Sequence, residues 1–408
     1  MAKNYADIYN NTGDSVSLEQ RWYVKKEVSS GTLIAPTNTD FFYTLGGGSI
    51  SYSQPIETSP HRSGRHQTGF IKKKKVTSFT LSTYFNIDES LGSPGVGEID
   101  PAVRVLFNNV FGKEDITGGS PVYTSLTAPS FTFSIFEVGD KWARQARAGF
   151  VEGVTMDFPG NGEAKLSWTG MAADAVLIGI GKSIVANTAN TVTLGTGEGG
   201  RFVPGGLVMI VKADGTTRST DTSAARTVVS VSGDVVTLSG APLTDADGST
   251  TPVYLCYFEP AAPAAINNPV TGLVGSMNIA STTVDCFRHV SIALTNNHEK
   301  VDYRYGVDSL AFPFFVAGNR FMGSVTVETN LNDRILQLFN GITQFATQNL
   351  TLVLGSSSGR HLSVAMPKVI FPVPAFADPE SGSIPITFVG TAEQTSLGAA
   401  DEVTVSFL

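Results

Sequence analysis

FTFSIFEVGDKWARQARAGFVEGVTMDFPGNGEAKLSWTGMA, from Phe131 to Ala172, is typical of a run of hairpin-linked β-strands. Loops rich in Gly, Asp and Asn separate its apolar segments, as turns between strands require. A second stretch, LTLVLGSSSGRHLSVAMPKVIFPVPAFADPESGSIPITFVGTA from Leu350 to Ala392, repeats this order. FTFSI aligns with LTLVL, DKWARQA with GRHLSVA, and LSWTGMA with ITFVGTA. The two stretches therefore predict an internal repeat.

Two further matches precede these stretches in the same order. VTSFTLSTYFNID (Val76–Asp88) corresponds to GSVTVETNLND (Gly323–Asp333), and both predict a half-buried strand. DPAVRVLFNNVFG (Asp100–Gly112) corresponds to NDRILQLFNGITQ (Asn332–Gln344), and both begin with an N-cap residue followed by apolar residues at helical spacing. We therefore predict a mainly β fold with two homologous β-sandwich domains, each flanked by one α-helix.

The segment between the two repeats has a different character. It contains the strand-like runs NTVTLGT, GGLVMIVKA, RTVVSVSGDVVTLSG and PVYLCYF, with a hairpin signal around Gly233 and no helix signal. It predicts a small all-β barrel or sandwich inserted between the repeats. The predicted domains are residues 1–175, 176–260 and 261–408.

Each repeat also contains a long excursion before its first matched strand. The excursions are residues 43–75 and 291–321, and both are longer than a common connection. We call them the first and second arms and predict that they pack on neighbouring subunits or rings. The first has a basic run with no acid from Arg62 to Lys75, suited to docking on acids such as Asp88 or Glu98 of an adjacent subunit. The second has several phenylalanines that are costly to leave in water. The predicted contact residues are Arg62, Arg65, Lys72, Lys73, Lys74, Lys75, Phe312, Phe314, Phe315 and Phe321.

Composition favours a folded β-protein that carries few charges on its surface. The chain has 41% hydrophobic and 16% charged residues, with 42 glycines and 25 phenylalanines. The formal net charge of −8 argues against a dedicated nucleic-acid binder, which would show a basic footprint. Cys256 and Cys286 are expected to be reduced structural thiols. No signal-peptide or membrane-helix pattern is found, so the expectation is synthesis in a cytoplasm and no membrane partner.

Three strings resemble catalytic or nucleotide-binding motifs but lack the required context. GIGKS (Gly179–Ser183) has Val176 where a P-loop needs its first glycine, and a strand follows it. GTGEGG (Gly195–Gly200) is followed by Pro204 instead of a phosphate-binding helix. GSSSG (Gly355–Gly359) joins two predicted strands, whereas a hydrolase elbow joins a strand to a helix. The histidines and carboxylates form no recognisable ligand set. The sequence predicts no enzyme, no metal and no cofactor.

The repeated strand, helix and arm pattern resembles the major tail tube proteins of long-tailed bacteriophages, in the variety with two fused tube domains. The resemblance excludes the inserted segment and rests on order and pattern, since the family has no diagnostic short motif. It implies a virion protein made in the host cytoplasm. Its chains would form trimeric rings with pseudo-six-fold character, stacked into a hollow tube. The implied partners are other copies, further tail proteins at the tube ends, and double-stranded DNA that passes through without specific binding.

Sheet edges give this resemblance a physical mechanism. An open sandwich has unpaired edges, and a closed ring pairs each edge with the next domain until none is free. We expect the strands facing the lumen to present Ser, Thr, Asn and acidic groups to DNA. The alternatives are a carbohydrate- or receptor-binding β-module, which needs exposed aromatic platforms, and a baseplate or capsid decoration protein.

Overall fold

The structure is a computed structural model in which most of the chain can be described. The described residues are 4–15, 20–46, 48–63, 65–67, 69–86, 99–117, 120–125, 131–184, 190–213, 225–240, 253–260, 275–280, 282–284, 287–300, 315–316, 322–343, 346–355, 361–374 and 382–407. Strands account for 54% of them and helices for 12%, so the predicted mainly β class is confirmed.

The helices and strands are numbered in chain order. The helices are α1 (Tyr5–Asn10), α2 (Pro101–Phe111) and α3 (Asp333–Thr343). The first strands are β1 (Arg21–Lys26), β2 (Phe41–Phe42), β3 (Ser49–Ser53), β4 (Ile56–Thr58), β5 (Arg62–Ser63), β6 (His66–Gln67), β7 (Phe70–Lys72), β8 (Val76–Tyr84), β9 (Gly112–Thr117), β10 (Ser120–Ser125), β11 (Phe133–Val138), β12 (Ala143–Pro159), β13 (Lys165–Ala172) and β14 (Asp174–Ile178). The middle strands are β15 (Ile180–Lys182), β16 (Thr191–Thr193), β17 (Leu207–Lys212), β18 (Arg226–Ser232), β19 (Val235–Leu238) and β20 (Val253–Tyr257). The last strands are β21 (Gly275–Ile279), β22 (Thr282–Thr283), β23 (Phe287–Thr295), β24 (Glu299–Lys300), β25 (Phe315–Val316), β26 (Met322–Asn330), β27 (Gln348–Leu354), β28 (Leu362–Ile370), β29 (Pro385–Ala392) and β30 (Thr404–Phe407).

Both predicted long helices are present at the predicted positions. The α2 helix has Asp100 at its N-cap, proline at its first turn and Gly112 in the left-handed conformation at its C-cap. The α3 helix begins where Asn332 Oδ1 accepts a hydrogen bond of 2.9 Å from Ile335 N. Both bury the apolar face that their 3.6-residue spacing defines.

Two sets of strands share the same pairing scheme. The first set is β1, β3, β8 and β11–β14, and the second set is β21, β23, β26 and β27–β30. Their antiparallel pairings correspond one to one: β1–β11 with β21–β27, β3–β8 with β23–β26, β8–β13 with β26–β29, β11–β12 with β27–β28, β12–β13 with β28–β29, and β12–β14 with β28–β30. One long helix lies in the matching place in each set, α2 after β8 and α3 after β26.

The long strand β12 connects the two sheets of the first set. Its first half pairs with β11 and β14, and its second half pairs with β13. The strand bends at Ala148, which has a φ of 50°, beside a register shift between Phe133 and Ile135. In the second set β28 shows a register shift at the corresponding place, between Gln348 and Leu350 of its neighbour β27.

The middle strands form a separate six-stranded sheet in the order β15–β20–β17–β18–β19–β16. A bridge between Ser183 and Leu194 connects the two outer strands, so the hydrogen-bonded ring closes. The predicted hairpin turn is present, with Gly233 at a φ of 57° between β18 and β19. The buried Gln145 of β12 exchanges hydrogen bonds of 2.7 and 2.8 Å with the backbone of Leu207, and so ties this sheet to the first set.

Candidate assembly edge and hydroxyl-lined face

The first and second sets are joined through β12 and β23. Their pairing runs from Gly153 opposite Thr295 to Pro159 opposite His289. The sheet therefore runs without interruption in the order β3–β8–β13–β12–β23–β26–β29. The pairing is antiparallel and crosses from one set to the other by backbone hydrogen bonds.

The hydrophobic core also crosses this junction. Phe407 of β30 stacks on Phe85 with a centroid distance of 5.4 Å and meets the ring of Phe107 edge-on at 5.8 Å. The β9–β10 hairpin that follows α2 pairs with β30, and Ser125 Oγ donates a 2.6 Å hydrogen bond to the buried carboxylate of Glu402. The two sets thus share a single sheet and one hydrophobic core.

The strand that corresponds to β23 in the first set is β3. Ile50 of β3 pairs with Phe79, and Ile292 of β23 pairs with Val325 in the matching position. β23 has partners on both sides, β26 and β12. Within the described residues β3 pairs only with β8, so its other side is an open edge.

The hydrogen-bond alternation shows which backbone groups lie on that open edge. Phe85 N donates a hydrogen bond to Ala164 O, which lies beside β13. Because the backbone groups of successive residues point to opposite edges of a strand, every second residue before Phe85 in β8 also faces β13. The residues between them face β3. Ser51 pairs with Ser78, one of the residues that face β3. Ile50 and Tyr52 therefore direct their backbone N–H and C=O groups outward, as Ile292 and Leu294 direct theirs toward β12.

A guanidinium group covers part of this edge in the single chain. Arg144 Nη1 donates a hydrogen bond to the carbonyl oxygen of Ile50, while Arg144 Nε lies 3.3 Å from the carboxylate of Glu137. Burial raises the pKa of Glu137, and the neighbouring Arg144 charge offsets part of that rise. Pairing of β3 with another strand requires Arg144 to release this carbonyl.

The two faces of the continuous sheet differ in chemistry. One face is apolar and lies on the core. The other face is dominated by exposed or half-exposed hydroxyl side chains, namely Ser49, Ser51, Ser53, Ser78, Thr80, Ser82, Thr155, Ser167, Thr169, Ser291, Thr295, Ser324, Thr326, Thr387 and Thr391. Neighbouring strands link them by hydrogen bonds, 2.9 Å between Ser49 and Thr80 and 3.2 Å between Ser82 and Ser167. We call this surface the hydroxyl face.

Charged groups on the hydroxyl face lie in one row near the ends of the strands. His289 shares a hydrogen bond with Asp157 across the β12–β23 junction, and its Nδ1 is 3.9 Å from Glu328 Oε1. Lys165 is the cross-strand partner of Asp157. Among the described residues this row thus holds two acidic groups, one lysine and one histidine, and no basic cluster that would clamp phosphates.

The first arm projects beyond the sheet as a two-stranded ribbon. β4 pairs with β7 and β5 pairs with β6, while residues 49–53 of the predicted arm belong to the sheet as β3. The ribbon exposes Ile56, Phe70 and Ile71 by 60%, 73% and 48%. Such exposure on an extended hairpin indicates a contact surface.

The predicted contact cations lie on or beside this ribbon. Arg62 is in β5, Arg65 is exposed in the turn, and Lys72 is exposed at the end of β7. Lys73, Lys74 and Lys75 lie between β7 and β8, where Lys73 pairs with Glu57 within the arm and the Lys75 ammonium lies 5.8 Å from the Tyr52 ring. Their predicted acidic partners Asp88 and Glu98 lie outside the described residues.

The second arm is described only in part. Residues 291–295 belong to the sheet as part of β23, and Phe315 lies in β25, paired with Lys300 of β24. The predicted contact residues Phe312, Phe314 and Phe321 lie outside the described residues.

The tryptophans do not form an exposed platform. Trp22 and Trp168 are fully buried, and Trp168 occupies the same position against Leu81 as Phe388 does against Val327. Trp142 is half-buried, with the Arg144 guanidinium 5.5 Å from its ring. Core packing therefore accounts for Trp22 and Trp168.

The described residues contain no cluster of three His, Cys, Asp or Glu side chains arranged for a metal ion. Cys256 is a buried cysteine in β20 whose Sγ donates a 3.6 Å hydrogen bond to Met209 O, and Cys286 lies outside the described residues. None of the described helices has the length and apolar character needed to span a membrane. No protein-family model and no curated protein matches the sequence.

Proposed function

We propose that the chain is the subunit of a bacteriophage tail tube, in which copies join edge to edge into rings and the rings stack around a channel for DNA. The observation that carries this proposal is the β12–β23 pairing. It joins two strand sets of the same topology into one sheet, and it leaves the matching edge of β3 open at the end.

The corresponding pairings support descent of the two sets from one duplicated tube domain, with the six-stranded ring as an inserted accessory domain. A junction that links equivalent sets within a chain can also link sets of adjacent chains. β28 corresponds to β12 as far as Phe150, which matches Ile370, and β3 corresponds to β23. The segment that follows Ile370 in one chain, part of which lies outside the described residues, would then pair with β3 of the next in the register of the internal junction. Such a contact is head-to-tail, and it closes into a ring when the rotation permits.

Three chains with two sets each would give the trimeric ring with pseudo-six-fold character that the family resemblance implies. The hydroxyl face would then line the channel. Uncharged hydroxyls and a row with more acids than lysines offer DNA no strong attachment, because binding of a duplex depends mainly on neutralising its phosphates with cations. This fits a conduit through which DNA must slide.

Electron microscopy of the purified protein tests the proposal directly. At rising protein concentration, we expect annular particles and then hollow tubes of uniform width. A chain that sediments as a monomer at every concentration would overturn the proposal. Compact oligomers without a central channel would favour a baseplate or decoration role.

The conduit role predicts a gain of DNA retention when the hydroxyl face is made basic. Thr155→Lys with Thr326→Lys adds cations on two strands of this face, and both positions tolerate a long side chain because they are at least partly exposed. Tubes of this variant should co-sediment with duplex DNA at low salt and release it steeply as salt rises. The matched control is Val229→Lys with Val235→Lys, exposed positions of the six-stranded ring. Equal DNA retention by both variants would contradict a channel lined by the hydroxyl face.

A further inference from the structure

A cleft of about 300 Å³ lies at the end of the β3–β8 strand pair that is opposite to the first arm. We call it the aromatic cleft. Trp22 and Phe42, both buried, belong to its wall, and the half-exposed rings of Phe41, Tyr43 and Tyr84 surround its opening. Among the described residues, no charged side chain lines it.

The aromatic cleft contains polar atoms whose hydrogen bonds are missing. Asn86 is 8% exposed, and neither its side-chain nitrogen nor its side-chain oxygen has a hydrogen-bond partner. The hydroxyls of Thr44 and Thr83 are buried and unpartnered as well. Buried polar groups in native proteins are nearly always paired, and each exception needs an explanation. A carboxamide with a free donor and a free acceptor is complementary to a peptide group, which offers one of each.

The aromatic walls and the unpaired amide together define the ligand. It must carry an apolar side chain next to a peptide unit whose N–H and C=O are unpaired. The outer side of a two-stranded ribbon has such peptide units. The first arm has that form, and among its described residues Phe70 is the most exposed large hydrophobic side chain, at 73%.

The chain direction places the arm and the cleft at opposite ends of the same strands. Ser53 pairs with Val76 where the ribbon begins, whereas Thr44 and Thr83 lie beyond the other end of the strand pair. The two ends are separated by roughly eight residues, or about 26 Å at ~3.3 Å per residue. Copies stacked in the same orientation would therefore bring the arm of one against the cleft of the next.

We propose that the aromatic cleft receives the first arm of a second copy of this chain in the adjacent ring, with Phe70 between the aromatic walls and the Asn86 amide paired with the ribbon backbone. This proposal rests on the proposed function and identifies its stacking contact. Edge pairing through β3 would build the ring, and the arm in the cleft would connect one ring to the next.

Two variants test the contact from its two sides. Phe70→Ser removes the apolar group from an exposed position, so the monomer should fold normally while the concentration needed for tube growth rises about tenfold or more. Asn86→Leu removes an amide that is unsatisfied in the monomer. Its thermal midpoint should rise, because the desolvated polar group is gone, whereas tube growth should weaken. A purely structural asparagine would lower the thermal midpoint on replacement. Both variants should still form single rings.

Disulfide trapping locates the contact. In a chain with Cys286→Ser, Phe70→Cys combined with Leu45→Cys of the cleft should give covalent ladders of chains in oxidised tubes. Phe70→Cys with Val229→Cys, on the six-stranded ring, is the control and should give none. Normal tubes from Phe70→Ser and Asn86→Leu, without ladders from the cleft pair, would overturn the contact and leave the proposed function intact. A wild-type chain that forms no rings at all would overturn both.

Discussion

Replacing Tyr52 with proline is expected to abolish ring formation while leaving the folded monomer intact. The Tyr52 N–H lies on the open side of β3, where Leu294 of the corresponding strand β23 bonds to β12. Proline removes this donor and places its ring where the partner strand must approach. The hydrogen bonds to β8 involve Ser51 and Ser53 instead and remain. Analytical ultracentrifugation should show monomers at concentrations where the wild type forms rings.

Tyr52→Ala is the matched control, because it removes the same side chain and keeps the backbone N–H. It should assemble nearly as well as the wild type. Urea denaturation of both variants should show a loss of no more than about 1 kcal/mol, as expected for an edge position whose side chain is 42% exposed. Assembly of the proline variant at the wild-type concentration would exclude β3 as the ring-forming edge.

The sequence predicts the helices and the class of fold because those signals are local. Asp100 and Asn332 mark helix starts, and the apolar spacing that follows fixes the buried face. The strand alternation around Phe79 and Val325 likewise places these residues in the core without knowledge of their partners. Such features depend only on residues a few positions away in the sequence.

Strand register is less accessible from sequence. The alignment of FTFSI with LTLVL places Phe131 with Leu350, whereas the pairing places Ile135 with Leu350, a displacement of four residues. A displacement by an even number keeps every side chain on its face of the sheet, so the apolar pattern cannot reveal it. The alignment of DKWARQA with GRHLSVA differs from the pairing by one residue. The register shifts between β11 and β12 and between β27 and β28, which only the structure shows, establish which residues of the two sets correspond.

The assembly edge itself is not predicted from the sequence. Ser-Ile-Ser-Tyr-Ser at residues 49–53 alternates as a strand, but it falls inside the excursion interpreted as an arm. The β12–β23 junction joins residues more than a hundred positions apart, and no local pattern specifies such a pair. The expectation that strands facing a lumen present Ser and Thr follows from the family resemblance, not from a local pattern in the sequence. Asn86 gives no sequence signal, because its proposed role depends on a side-chain amide that has no hydrogen-bond partner in the folded chain.

Glu27 is the residue whose loss should damage the fold most, since it holds the bend in β12. Its carboxylate is buried and accepts four hydrogen bonds. Ala148 N and Ser134 Oγ donate to Oε1 at 2.8 and 2.6 Å, and Gly31 N and Thr132 Oγ1 donate to Oε2 at 2.7 and 2.6 Å. Ala148 is the residue with the left-handed φ at the bend. The bend sends the second half of β12 into the other sheet, where it meets β23.

Glu27→Ala should therefore lower the free energy of unfolding by about 3–5 kcal/mol, because it leaves four donors without their acceptor in a buried site. Glu27→Gln should cost less, since its amide oxygen still accepts two of the bonds while its NH₂ group opposes the other two donors. Urea denaturation with an unchanged m-value measures the difference. Glu57→Ala is the control, an exposed carboxylate in a surface ion pair, and should change stability by about 0.5 kcal/mol or less. If Glu27→Ala proves no more costly than Glu57→Ala, the bend must be maintained by the backbone pairing of β11 and β12 alone. The junction with β23 would then not depend on this carboxylate.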